Sequence, residues 1–127
     1  MAIPARFRDE LAEGLVVTRG VDGCLAIYPM ARWSELSDRI NALSIGDLNA
    51  RAFRRMMFAD AVDLELDAQG RILVPAELRD YAGIDREAVV IGVHSFIEVW
   101  SPERWTAARE AFDAGGAAIV QQLAGLV

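Results

Sequence analysis

The chain contains one unit twice, and this repeat constrains its fold more than any other feature. The segment IPARFRD at residues 3–9 returns as VPAELRD at residues 74–80, and LAIY at 25–28 returns as IEVW at 97–100. Because the same signals recur in the same order, we expect two similar units within the single chain.

Each unit is predicted to contain a short helix, a β-hairpin and a longer helix. Pro4 and Pro75 suit the first helical position, where the missing N–H would have no partner anyway. The strings VVTRG and CLAIYP predict the first hairpin, and VVIGV and FIEVW predict the second. Apolar residues at helical spacing predict the longer helices and should pack in the core: Trp33, Leu36, Ile40 and Leu43, then Trp105, Ala108 and Phe112.

These signals divide the chain into four segments. We expect a first unit with its closing helix at 1–43, a linker helix at 44–60, a second unit with its closing helix at 61–115, and a tail at 116–127. The apolar tail AAIVQQLAGLV has no second copy in the repeat. It is either a frayed terminal helix, a contact between subunits, or a segment that docks on a partner.

The linker should be helical from about Asp47 to Ala59. Its apolar face is predicted to carry Leu48, Ala52, Met56 and Ala59. The opposite face concentrates positive charge within one turn, at Arg51, Arg54 and Arg55. These arginines are candidates for secondary phosphate contacts. Alternatively, they form ion pairs with an acidic helix surface such as the one carrying Glu35 and Asp38, in the same or a neighbouring subunit.

A turn with the sequence DAQGR lies at the start of the second unit. The preceding VDLEL alternates as a half-buried strand does, whereas the following RILV should be buried on both sides. Asp67 can accept hydrogen bonds from the backbone of its own turn, and Gly70 can take the positive φ of a tight hairpin. By spacing alone, Asp67 and Arg71 could simply pair across the turn and stabilise it by less than about 1 kcal/mol.

The stretch DAQGRILVPAELRDYAGI, followed by a hairpin ending FIEVWSPERW, resembles the second half of an MraZ protein. The segment ARAFRRMMFADA is similar to the linker helix of that family, and the resemblance extends from Ala2 to about Phe112. It implies an α+β, mainly β fold: two tandem SpoVT/AbrB-type units that form double-split, interlocked β-barrels with flanking helices. It also implies subunits that assemble into rings.

The same resemblance implies a sequence-specific DNA-binding transcriptional regulator. Such proteins act at the promoter of the cell-division and cell-wall gene cluster, where they read short repeated sites. The Asp-x-x-x-Arg turn is the DNA-contacting motif of the family and falls on Asp67 and Arg71. Arg71 is expected to contact a phosphate or a base edge, with Asp67 as its orienting partner.

The expected partners are therefore double-stranded DNA and further copies of the chain. We expect no membrane partner, small-molecule substrate, cofactor, metal or catalytic residue, and a cytoplasmic, nucleoid-associated location. The net charge of −6 opposes DNA binding, but all 13 basic residues are arginines, each able to bind a phosphate through two parallel hydrogen bonds. A ring that brings every copy of Arg71 to one surface would resolve the conflict.

The sequence departs from the family pattern at its start. In the family both units carry the Asp-x-x-x-Arg turn and the strand before it. Here Met1 aligns with Ile72, so the counterpart of Arg71 would lie ahead of Met1. We therefore expect an upstream segment with a strand and an Asp-x-Lys/Gln-Gly-Arg-like turn, which in-frame translation of the upstream DNA would reveal.

Two other functions compete with DNA binding. An enzyme needs a nucleophile beside a base, but the chain has one cysteine, Cys24, and one histidine, His94. We interpret Cys24 as a small buried apolar residue and His94 as a turn residue with a satisfied hydrogen bond. The stronger rival is an oligomeric interaction module or antitoxin-like factor with little DNA binding of its own.

Overall fold

Both units fold into the short helix, hairpin and longer helix that the repeat predicts. The computed structural model describes residues 1–126. The first unit contains α1 (Ala5–Arg8), which a 3₁₀ turn extends over Asp9–Leu11, then β1 (Leu15–Arg19), β2 (Leu25–Pro29) and α2 (Met30–Asn41). The linker is α3 (Leu48–Ala59), and the second unit contains β3 (Val62–Leu64), α4 (Ala76–Ala82), β4 (Val89–Gly92), β5 (Ile97–Trp100) and α5 (Pro102–Gln122).

The two hairpins join into one antiparallel sheet with the strand order β3-β1-β2-β5-β4. At its centre β2 pairs with β5, its counterpart in the repeat, and Ala26 lies opposite Glu98. Leu25 faces Val99 on one side of this pair, while Ile27 faces Ile97 on the other. Because equivalent residues pair in opposite directions, a pseudo-twofold axis between the units passes through the pair formed by Ala26 and Glu98.

The second unit also contributes a strand to the first, because β3 follows the linker helix yet pairs with β1. The α+β class is therefore confirmed, and the units interlock. Within residues 1–126 the sheet is open, with β3 and β4 at its edges, so closed barrels are not seen. The description as mainly β needs correction, since the strands hold only three to five residues each and the helices contain more of the chain.

A single core serves both units. Ile3 and Val74 are counterparts in the repeat, and both are buried in it. Burying an aliphatic side chain of this size stabilises a fold by about 1.5 to 3 kcal/mol. Each unit would therefore lose stability if it were separated from the other. The other buried members are Leu11, Leu15, Val17, Leu25, Ile27, Ile72, Leu78, Ala82, Ile84, Ile97 and Val99.

The extended segment after the DAQG turn pairs with the start of the chain. Ile72 donates its N–H to the Met1 carbonyl at 2.8 Å, and an isolated β-bridge joins Ala2 to Arg71. The expectation that RILV is buried on both sides is wrong. Leu73 is 83% exposed, whereas its neighbours Ile72 and Val74 are buried. Only one face of this segment meets the core, and the other is open to solvent.

The linker helix is confirmed, and the residues of its predicted apolar face are exposed to solvent. The Asp47 carboxylate caps it by accepting the N–H of Asn49 at 2.8 Å. Met57 is the buried residue of α3, whereas Leu48 is 70% exposed. The physical reason is a polar anchor: Thr18 is fully buried, and its hydroxyl donates to the Met57 carbonyl at 3.0 Å. This bond turns the predicted apolar face outward.

The closing helices bury less than predicted. In α2, Ile40 is buried, but Leu43 lies beyond the helix end and is 39% exposed. In α5, Phe112 is 51% exposed, so its expected place in the core is wrong.

The helix α5 runs through the predicted boundary at residue 116, and Ile119 and Leu123 along it are exposed. Of the predicted tail, Val127 lies outside the described residues. Among residues 1–126 we find no helix with the length and apolar character to cross a membrane.

Candidate nucleic-acid interface

The candidate interface is the tight turn from Asp67 to Arg71. Two backbone hydrogen bonds close it: the Asp67 N–H donates to the Arg71 carbonyl at 2.9 Å, and the Gly70 N–H donates to the Asp67 carbonyl at 3.0 Å. Gly70 has φ +75°, a left-handed conformation that glycine adopts without a steric penalty. The predicted tight turn is therefore confirmed, whereas the expected hairpin is not formed: β3 pairs with β1, and the segment after the turn makes only the isolated bridge between Arg71 and Ala2.

The Asp67 carboxylate organises the backbone of this turn. Its Oδ1 atom accepts the N–H of Gln69 at 2.8 Å and the N–H of Arg71 at 2.9 Å. These two donors lower the pKa of the Asp67 carboxyl from its ordinary value of 3.8, and the N–H of Arg71 has the larger effect. The carboxylate is therefore ionised near neutral pH and fixes the position of the Arg71 main chain.

The Arg71 side chain is exposed and has no hydrogen bond or ion pair with any of residues 1–126. The ion pair considered between Asp67 and Arg71 is thus not formed, and Asp67 positions Arg71 through its backbone N–H instead. Because a guanidinium offers five N–H donors in a planar fork, Arg71 presents a complete set to an incoming acceptor.

The first unit also supplies a residue to this turn that the motif search missed. Arg8 lies against Gly70, and a methyl group placed there would overlap the Arg8 side chain, with Cδ at 2.8 Å. The Nε–H of Arg8 donates to the Ile3 carbonyl at 2.9 Å, and the Ile3 N–H donates to the Gly70 carbonyl at 2.9 Å. No local pattern reveals this approach, because it depends on how the units interlock.

Two of the three linker arginines donate hydrogen bonds to backbone carbonyls within the chain. Arg51 donates Nη1–H to the Ile45 carbonyl at 2.8 Å, and Arg54 donates Nη2–H to the carbonyl of Leu43 at 2.5 Å. Both therefore hold the loop between α2 and α3. Their role as secondary phosphate contacts stays a prediction, and Arg55 is the exposed member with no bond to residues 1–126.

The acidic surface of α2 does not pair with these arginines inside the chain. Glu35 instead contacts Arg32 at 3.4 Å, one turn earlier on the same helix. Within the described part of the chain, Asp38 forms no ion pair. Pairing between neighbouring subunits stays a prediction.

The residues considered for catalysis lie apart from the turn. Cys24 is buried, and burial, followed by the nearby Glu98 charge, raises the pKa of its thiol to about 11. A thiol of this kind is protonated at neutral pH and is a poor nucleophile.

His94 lies in a turn, as predicted, with φ +63°. Its side chain has no hydrogen bond to residues 1–126, so the expected satisfied bond is not seen. Over that same range, no cluster of three or more His, Cys, Asp or Glu side chains is arranged to hold a metal ion.

The fold and the turn together define a class: tandem-repeat α+β proteins whose two units share one antiparallel sheet and present a fixed, exposed arginine. Comparison with known proteins gives the particular family. The family model described as "MraZ protein, putative antitoxin-like" matches twice, at residues 1–56 and 57–120. The chain belongs to the MraZ family.

Curated relatives carry the same family name. A protein named Transcriptional regulator MraZ from Thermomicrobium roseum is 55% identical over 127 residues, which cover 100% of this chain and 89% of that protein. One of the same name from Herpetosiphon aurantiacus is 58% identical over 88% of this chain and 78% of its own. Another, from Roseiflexus castenholzii, is 46% identical over 99% of this chain and 88% of its own.

Proposed function

We propose that this chain is a transcriptional regulator that binds specific DNA sequences through the turn from Asp67 to Arg71. The observation that carries the proposal is the Arg71 guanidinium, which is exposed and unpaired on a turn that two backbone hydrogen bonds and the Asp67 carboxylate hold fixed. The names of the curated relatives, all transcriptional regulators, support it.

The chemistry of the turn suits nucleic acid. Arg71 can donate two parallel hydrogen bonds to a phosphate, or to the N7 and O6 atoms of guanine in the major groove. Because the backbone of the turn is already fixed, only the side-chain freedom of Arg71 is lost when its guanidinium binds. Asp67 does not occupy the guanidinium, since no ion pair joins the two side chains.

The acidic net charge of −6 requires more than one contact per DNA molecule. We propose that subunits assemble into a ring that presents several copies of Arg71 to short repeated sites, so that modest contacts multiply. Exposed apolar residues on two helices support assembly, because large exposed patches mark contact surfaces. They are Leu48, Phe53 and Met56 on α3, and Phe112, Ile119, Val120 and Leu123 on α5 and its end.

The finer organisation belongs to the same proposal. We retain the division into units at 1–43 and 61–115, a linker at 44–60 and a tail at 116–127. The open sheet edges at β3 and β4 are the places where interlocked barrels would close. The promoter of the cell-division and cell-wall gene cluster is the proposed target, and action there places the protein on the nucleoid in the cytoplasm.

A mobility-shift experiment tests this function. A labelled promoter fragment with tandem short repeats, taken from upstream of the cell-division cluster, should be retarded, whereas a fragment with the repeats shuffled should not. Retardation should weaken steeply between 50 and 200 mM salt, about 10³-fold or more when six or more phosphates are contacted. Equal retardation of both fragments would contradict sequence specificity.

The second candidate is an interaction module or antitoxin-like factor. The description of the matching family model as putatively antitoxin-like and the exposed apolar residues of α5 favour it. If wild-type protein retards no promoter DNA while it still assembles, this second function replaces the first.

A further inference from the structure

We propose that Arg8 of the first unit is a second DNA-contacting residue at the turn of the second unit. The inference rests on the proposed function, since it assigns another contact to the same interface. The DNA-contacting surface is then composite: one unit supplies the turn with Arg71, and the other supplies Arg8 from the end of α1.

The position of Arg8 is fixed by packing and by two linked hydrogen bonds. Its side chain lies so close to Gly70 that a Cβ atom there would overlap it. Its Nε–H donates to the Ile3 carbonyl at 2.9 Å, and the Ile3 N–H donates to the carbonyl of Gly70 at 2.9 Å. Arg8 is thus held beside the residue that directly precedes Arg71.

The outer donors of Arg8 are free although its stem is half-buried. The two Nη groups donate to no atom of residues 1–126 and form no ion pair there. Asp67 does not pair with Arg8 either, since no ion pair joins the two side chains. Ordered guanidinium groups with unused donors are suited to bind phosphate oxygens.

The pseudo-twofold relation between the units predicts a matching position for the equivalent arginine of the second unit. Arg79 is the counterpart of Arg8 in the repeat, and it lines a cavity with Met1 and Ala2, which are the counterparts of Ile72 and Leu73 just after the turn. Each short helix therefore brings its arginine to the other unit: Arg8 lies against Gly70, and Arg79 lies near the start of the chain. The interlocking of the units explains why Arg8 lies at the turn that carries Arg71.

The test is a fluorescence-anisotropy titration of the full chain with the repeat-containing promoter fragment at several salt concentrations. Arg8→Ala should weaken binding about tenfold and reduce the slope of log Kd against log salt by about one for each subunit that contacts the DNA. Arg39→Ala is the control, because Arg39 is exposed on α2 and unbonded within residues 1–126. It should leave the affinity and the slope unchanged.

The slope separates a contact from a structural role. Arg8→Ala with a lower melting temperature but wild-type affinity and slope would overturn the inference. If Arg8→Ala does not fold, Arg8→Gln keeps part of the stem without the charge, and its slope must still fall; an unchanged slope overturns the inference. If the wild type binds no DNA, the proposed function and this inference are overturned together. If the wild type binds and Arg8→Ala has the same affinity and salt slope, only the inference is overturned.

Discussion

At the scale of single residues, Asp67 acts through the backbone and Arg71 through its side chain. The carboxylate accepts the N–H groups of Gln69 and Arg71, and it leaves the guanidinium unpaired. Asp67 therefore fixes the turn, and the Arg71 guanidinium stays free to bind a ligand.

This division predicts different effects for two substitutions of Asp67. Asp67→Asn keeps a side-chain oxygen that can accept the same N–H groups, so DNA affinity should be maintained or slightly improved as a negative charge is lost. Asp67→Ala removes the acceptor, and affinity should fall severalfold while the amide of Arg71 exchanges hydrogen faster. Equal loss of affinity in both variants, measured by anisotropy, would mean that the charge of Asp67 matters and its acceptor geometry does not.

The lowered pKa of Asp67 predicts how the turn responds to acid. Because the folded pKa lies below the value of the unfolded chain, the carboxylate contributes fully to stability above the unfolded value. That contribution is lost as pH falls through the folded pKa. A carboxyl titration followed by NMR should place the pKa of Asp67 below 3.8. The protection factor of the Arg71 amide, which corrects for the intrinsic pH dependence of exchange, should fall only in that range. Titration at or above 3.8 would contradict the observed hydrogen bonds.

At the scale of secondary-structure elements, the orientation of α3 depends on a buried polar contact. Thr18 Oγ1 donates to the Met57 carbonyl, and this bond lies between β1 and the last turn of the helix. A hydrogen bond at a fully buried position is costly to break, because the partner left behind is not solvated.

Thr18→Val should therefore destabilise the fold although it adds apolar surface. The isosteric change leaves the Met57 carbonyl without its donor and should lower the free energy of unfolding by about 1 to 2 kcal/mol. Chemical denaturation measures this, with Thr106→Val on the exposed side of α5 as the matched control. If both variants unfold at the same denaturant concentration as the wild type, the anchor does not determine how α3 packs.

The same elements show what could be predicted from sequence. The hairpins and the DAQG turn follow from local patterns, since Gly70 and Asp67 meet the needs of a tight turn by themselves. The buried face of α3 could not be predicted, because Arg54 and Thr18 anchor the helix through carbonyls remote in sequence. The exposure of Leu73 and the approach of Arg8 to the turn likewise depend on how the two units interlock.

At the scale of the whole molecule, two features favour an assembly of several copies of the chain over a single subunit. The net charge of −6 opposes DNA binding by a single subunit, and Leu48 and Met56 expose an apolar face on α3. The proposed assembly into a ring would account for both, since it would cover apolar surface and gather the arginines of the turn.

A charge placed on that face should disturb assembly. Met56→Glu should reduce the subunit number measured by light scattering without unfolding the chain, because Met56 is 40% exposed and no core contact is lost. DNA affinity should fall with it as simultaneous contacts are lost. Ser34→Glu, on an exposed part of α2, is the control and should change neither quantity. An unaltered oligomer in Met56→Glu would show that this face does not join subunits.

The central claim is that the Arg71 guanidinium carries DNA binding, and one comparison of affinities tests it most directly. The wild type and the Arg71→Ala and Arg109→Ala variants are titrated with the same promoter fragment at fixed salt, and oligomer size is measured in parallel. Arg109→Ala is the control, because Arg109 is also exposed and unbonded within residues 1–126. We predict that Arg71→Ala weakens binding at least about tenfold, because each subunit on the DNA loses a charge-assisted contact, with the oligomer intact, and that Arg109→Ala binds as the wild type does. Equal affinity of wild type and Arg71→Ala would contradict the account.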